Sequence, residues 1–104
     1  MKRDSLIEAL AAEAIGAGAK MLEIEYKDGN EEVYAMTGNS ACGSGYSIAL
    51  LPSSRPEAAS LRKELQGMVA RNRRIRVGGC DYVLRCSKYD SFGEDAFRVE
   101  LRRV

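Results

Sequence analysis

The stretch from Met21 to Met36, "MLEIEYKDGNEEVYAM", limits the folds open to this chain more than any other. Leu22, Ile24 and Tyr26 alternate with Glu23, Glu25 and Lys27, a period of two that gives an extended strand one apolar side and one charged side. The alternation breaks at Asp28-Gly29, a residue pair that accepts positive φ in a two-residue turn, and resumes through Val33 to Met36. A hairpin with one apolar face is marginal alone and needs something laid over that face.

Two segments have the pattern to supply the cover. "DSLIEALAAEAIGAGAK" repeats Leu6, Ile7, Leu10, Ala11, Ala14 and Ile15 at helical spacing, with Ser5 and Glu8 as a capping box and Gly16 and Gly18 as the stop. "SSRPEAASLRKELQGMVARN" does the same with Ala58, Leu61, Leu65, Met68 and Val69; Ser54 and Glu57 form a second capping box around Pro56. A third strand is expected at about Tyr46 to Leu51. Further strands follow at Arg74 to Val77 and Tyr82 to Ser87, on either side of "GGCD", and at the alternating Phe97, Val99 and Leu101. The pattern predicts an α+β domain in two layers, an antiparallel sheet with two helices on one face, in the order α-β-β-β-α-β-β(-β). Leu22, Ile24, Leu61, Leu65, Leu84, Val99 and Leu101 are expected to share its core.

The 104 residues suit one domain, 1–104, with an ordinary apolar share of 45%. No apolar run is long enough to cross a bilayer, and the opening "MKRDSLIEAL" carries acids where a signal peptide would be apolar. Three cysteines leave one unpaired in any disulfide scheme, which suits a reducing compartment. A cytoplasmic location without membrane insertion is therefore expected.

Catalytic signals are weak throughout. There is no histidine, so the commonest general base and the Ser-His and Cys-His pairs are missing, and Cys80 and Cys86 lack metal-ligand spacing. Gly38 and Gly43 have the glycine spacing of a P-loop, but neither the Lys nor the Ser or Thr nor a following helix accompanies them, so "GNSACGSG" reads as a hairpin connector. Cys42 in that connector reads as an ordinary thiol, and Cys86, in register with Tyr82 and Leu84, as a small buried hydrophobe. Glu23 and Glu25 share a strand face, where a solvated face explains them better than an acid–base pair. The tyrosines mostly fall on apolar faces and read as core. No catalytic residue, cofactor or metal is expected.

Charge is more informative. Residues 1–52 hold four basic and eight acidic side chains, whereas residues 53–104 hold twelve basic and seven acidic. The second half can thus offer a positive surface to a partner. Its densest part, "RNRRIR", contains Arg71, Arg73, Arg74 and Arg76, which at a helix end would also complement the dipole. Beside tyrosines, the same arginines suit a small nucleic-acid-binding domain as an alternative.

The C-terminal run "RRIRVGGCDYVLRCSKYDSFGEDAFRVELRR" supplies a resemblance. Gly78-Gly79, Leu84-Arg85-x-Ser87, Gly93-Glu94 and Arg98 follow in the order of a gly-gly turn, an "LRxS" strand, a loop, "GE" and a final arginine-containing strand. This arrangement resembles the PAS-like domain that precedes the ATPase core in type II secretion and type IV pilus motor ATPases. "GAGAKMLEIEY" is similar to that family's entry into its first hairpin, and "PEAASLRKELQGMVARNRR" to its second helix. Lys20-Met21 replaces the family's "S-D" pair, and the "PQDGR" segment before Arg74 is missing. The resemblance implies a PAS-like fold and a non-catalytic module, stand-alone or excised, that docks on a secretion or pilus motor component. It also implies that Arg85, with Arg74 or Arg76 near it, meets a partner's phosphate; charge density alone adds Arg71 and Arg73 to the expected partner-binding or phosphate-binding set.

Overall fold

The computed structural model describes residues 5–37 and 45–104. Gly38, Gly43 and Cys42, and with them the connector reading, lie outside the described residues. The elements run α1 (Leu6–Gly16), β1 (Met21–Lys27), β2 (Asn30–Met36), β3 (Gly45–Pro52), α2 (Pro56–Ala70), β4 (Arg73–Val77), β5 (Cys80–Ser91) and β6 (Glu94–Arg103). All six strands join one antiparallel sheet in the order β3-β2-β1-β6-β5-β4.

The turns follow from local chemistry. Asp28 and Gly29 have φ of 52° and 82°, the paired positive values that match the twist of the flanking strands. Gly78 and Gly79, at 58° and 79°, turn β4 into β5 in the same way. The third tight turn uses Phe92 and Gly93 at 52° and 86°. Because of it, β5 continues to Ser91 and pairs with β6 through Ser91↔Glu94, so the loop expected after Ser87 is a strand. Phenylalanine gave no turn signal to read, since a bulky residue is disfavoured at positive φ.

The helices bury the expected stripes with two corrections. Ser5 caps α1, its hydroxyl accepting the Glu8 N–H at 3.3 Å. Helix α2 starts instead after Arg55, whose φ of −83° and ψ of 146° are extended, and no side chain caps it. Pro56 accounts for this: the residue before a proline is pushed out of the helical region, which leaves Ser54 too far back to act as the cap. Val69, counted with the buried stripe, is exposed because Met68 already occupies the inward position.

One face of the sheet is closed by both helices. Ile7, Leu10 and Ala14 of α1 and Leu61, Leu65 and Met68 of α2 form a single buried cluster with Leu22, Ile24, Leu84, Phe97, Val99 and Leu101. All seven expected core positions belong to it. Glu31 is buried with them on the apolar side of β2, where Arg62 of α2 meets its carboxylate at 2.9 Å. Burying an ionised carboxylate is tolerable only with such a partner.

Two substitutions test these assignments by chemical denaturation. Leu65→Ala removes a fully buried side chain and should cost about 2–5 kcal/mol; a loss under about 1 kcal/mol would mean that the stripe does not carry the core. Phe92→Asn keeps the turn and relieves a left-handed residue that is fully exposed, so stability should rise by about 0.5–1 kcal/mol.

Candidate interaction face

Residues that point away from the helices form the sheet's second face, and strand alternation determines which they are. On β1 and β2 they include the acidic and phenolic Glu23, Glu25, Glu32 and Tyr34. On β4, β5 and β6 they include Arg74, Arg76, Arg85, Arg98 and Arg102. The sequence-wide charge asymmetry thus becomes a spatial one, with acid at one side of a single face and base at the other.

The acidic side is internally satisfied. Arg98, from the neighbouring β6, donates to Glu23 Oε2 from Nε at 3.1 Å and from Nη2 at 2.9 Å. Its guanidinium also lies over the Tyr89 ring, 5.3 Å from the centroid, and Tyr89 Oη donates to Glu25 Oε1 at 3.0 Å. Tyr34 donates to Glu32 two residues back on the same strand. Burial, reinforced by the bond to Glu25, pushes the Tyr89 phenol above the usual tyrosine range. The bond to Glu32 takes Tyr34 up to about 12 and holds the Glu32 carboxyl below its ordinary value. These shifts fix Tyr34 and Tyr89 as neutral phenols and Glu32 as an ionised carboxylate, the opposite of a proton donor poised near neutral pH. Glu23 and Glu25, which share a face as expected, each have their own donor.

The basic side is not satisfied in this way. Register places Arg74 opposite Val83 on β5, and Val83 opposite Arg102 on β6; Arg85 stands two residues along β5 on the same face. Neighbours directly across lie about 5 Å apart and diagonal ones about 7–8 Å, so the three arginines enclose Val83. All three are exposed, and none has a carboxylate within 4.0 Å among the described residues. Arg76 lies beside them, with Asp81 at 3.8 Å and the Gly79 carbonyl at 3.4 Å.

The five arginines singled out in the sequence therefore separate. Arg74, Arg76 and Arg85 come together, and Arg102 joins them. Arg71 is exposed at the end of α2, outside the sheet. Arg73 points the other way, toward the helices, where Nη1 reaches Glu64 Oε2 at 2.8 Å, the Ser5 hydroxyl at 3.1 Å and Glu8 Oε2 at 3.6 Å. That places the N-terminus of α1, the middle of α2 and the start of β4 on one cation. The helix-end reading of these arginines holds for Arg71 alone, because β4 begins at Arg73.

Arg102 was not among the arginines expected to meet a partner, and Arg98 was marked only as part of the C-terminal motif, although the alternation of "FRVELRR" carries both. The expectation that tyrosines are mostly core fails for Tyr26 and Tyr46, which are exposed, and for Tyr34 and Tyr89 on the open face; Tyr82 does pack against the core. Cys86 is buried as expected, and burial pushes its thiol up to about 11. Among the described residues no three His, Cys, Asp or Glu side chains cluster as metal ligands, and no helix is long and apolar enough to cross a membrane. No protein-family model matches the chain, and no curated protein matches it.

The Arg73 junction has a pH signature. Burial raises the Glu64 pKa, but the bonds from Ser5 and Arg73 outweigh it and hold the carboxyl below its ordinary 4.5. A depressed folded-state pKa contributes stability that is present above 4.5 and is lost as pH falls below it. Arg73→Ala should weaken this acid dependence in denaturation measured from pH 7 to 3; an unchanged slope would show that Glu64 does not depend on Arg73.

Proposed function

We propose that this chain is a non-catalytic interaction module of the PAS-like kind, which docks on an acidic protein surface through the arginines of its open sheet face. The observation that carries the reading is the grouping of Arg74, Arg85 and Arg102 around Val83, three exposed cations without a carboxylate partner among the described residues. A half-buried aliphatic side chain ringed by guanidinium groups suits a protein interface, where a small apolar contact is framed by charges that steer and orient the partner. The resemblance to the domain before the ATPase core of type II secretion and type IV pilus motors supplies the class of partner: a secretion or pilus motor component.

Nucleic acid is less well served by the same face. Stacking of bases needs aromatic rings next to the cations. Here Tyr34 and Tyr89 stand among Glu23, Glu25 and Glu32, which repel phosphate; the one cation over Tyr89 is Arg98, already paired with Glu23, and Tyr82 faces the helices.

The test mixes the domain with the ATPase core of a type II secretion or type IV pilus motor and follows amide chemical shifts. Saturable shifts at Arg74, Val83, Arg85 and Arg102 are expected, with binding weakened at least about tenfold in Arg74→Glu/Arg85→Glu, on the order of one charge-assisted contact. Absence of shifts would overturn the motor assignment. Tighter binding to a single-stranded oligonucleotide, falling steeply with salt, would favour the nucleic-acid reading instead.

A further inference from the structure

Strand β6 runs past the start of its neighbour β1. The β1–β6 ladder ends at Met21↔Glu100, and the last bond between them runs from the Leu101 N–H to the Lys20 carbonyl at 2.9 Å. Beyond that point the chain leaves the sheet plane at Gly18, whose φ of 86° suits only glycine, and bends back into α1. Leu101 to Arg103 therefore keep β5 on one side and have no strand on the other.

The space left is a cleft of about 620 Å³. Its position within the sheet gives it walls from both faces: Ile15, Leu101 and Tyr82 from the helix side, Met21 and Arg102 from the open side. Backbone alternation also supplies hydrogen-bonding groups. The Leu101 N–H points toward β1 and the Val104 N–H toward Asp81 on β5, so the Arg103 N–H and C=O point the same way as those of Leu101, into the cleft. Lys20, Arg102 and Arg103 line it as well, all three exposed and without a carboxylate partner among the described residues. Against these three cations the cleft has one acid, Glu100.

We infer that this cleft binds the C-terminal end of an extended peptide from a partner protein, added to the sheet antiparallel to β6 as a short continuation of β1. Each feature specifies part of the occupant. A gap in a ladder with unmet N–H and C=O groups takes an extended backbone, and walls on both faces take its alternating side chains. The apolar helix-side wall selects an apolar residue within the last two or three. The cleft is closed at its inner end by Lys20 and the start of β1, so a strand entering it has to terminate there. Lys20, Arg102 and Arg103 make that terminus a carboxylate, because an ammonium would meet three like charges. No bond is made or broken; the step is binding alone.

The cleft shares Arg102 with the docking face, and the two double variants, which both leave Arg102 in place, keep the two sites apart. The 104-residue chain is immobilised and exposed to a random hexapeptide pool with free C-terminal carboxylates, and to the same pool amidated. Retention of the free-carboxylate pool should exceed that of the amidated pool by about tenfold, the equivalent of one charge-assisted contact, with apolar residues enriched near the C-terminus. Lys20→Glu/Arg103→Glu should abolish the preference, and Arg74→Glu/Arg85→Glu should leave it intact. Amide shifts on adding the recovered peptides should centre on Lys20 and Leu101 to Arg103. Equal retention of both pools, retention of neither, or a preference that survives Lys20→Glu/Arg103→Glu would overturn the inference. So would saturable shifts of the same amides with octanoate when neither pool is retained, which would make the cleft a small-molecule site.

Discussion

Everything in this fold depends on the pairing of β1 with β6. These strands join two three-stranded meanders, β1-β2-β3 and β4-β5-β6, each preceded by a helix, and among the described residues theirs is the one ladder between the halves. Leu22↔Val99 and Ile24↔Phe97 lie in that ladder, and all four side chains are fully buried. A slip of one residue by β1 would turn Leu22 and Ile24 to the open face and bring Glu23 and Glu25 beneath the helices, and the same slip by β6 would expose Phe97 and Val99 and bury Arg98. The cost of burying those charges far exceeds any hydrogen bond such a slip could recover. Register is thus determined by the contrast between the two faces, and the same contrast places Glu23 against Arg98 on the outside.

That link explains how a face with functional character arises from a stability requirement. Alternation that protects the core necessarily delivers charged residues to the opposite side, and their sign is inherited from the half of the chain they come from. On β1 and β2 the acids find Arg98, Tyr89 and Tyr34 and are neutralised locally. On β4 and β5 there are not enough acids to do the same, since Asp81 meets Arg76 alone and Glu100 makes no ion pair with Arg85 across from it. Surface ion pairs contribute little to stability, so leaving Arg74, Arg85 and Arg102 without carboxylate partners among the described residues costs the fold little. Their value lies in attracting and orienting something else.

The fold was legible in the sequence where one residue type dominates one period. Leu22, Ile24, Leu61, Leu65, Leu84, Val99 and Leu101 all read correctly as core, and Asp28-Gly29 as a hairpin turn, because no competing chemistry acts at those positions. Reading failed where a neighbour overrode a local signal. Pro56 displaced the cap from Ser54, and Phe92 occupied a turn position that its side chain disfavours, which hid the second half of β5. Glu31 escaped notice because its burial depends on Arg62, which is distant in sequence and adjacent only across the helix–sheet contact.

The candidate surface was legible by half, for a reason that also separates its arginines. A cluster such as "RNRRIR" shows charge density but not direction, and direction on a strand reverses with every residue. Once β4 begins at Arg73, Arg74 and Arg76 must face outward, while Arg73 must face the helices. There Arg73 finds Glu64, Glu8 and Ser5, so the inward arginine is committed to holding α1, α2 and β4 together. The outward ones gain Arg85 and Arg102 from strands that are distant in sequence, a grouping that only the register of β4, β5 and β6 creates. One run of arginines thus divides into a structural member and surface members by parity alone, and substituting Arg73 and Arg74 should disturb different properties of the same molecule: the first its acid stability, the second its hold on a partner.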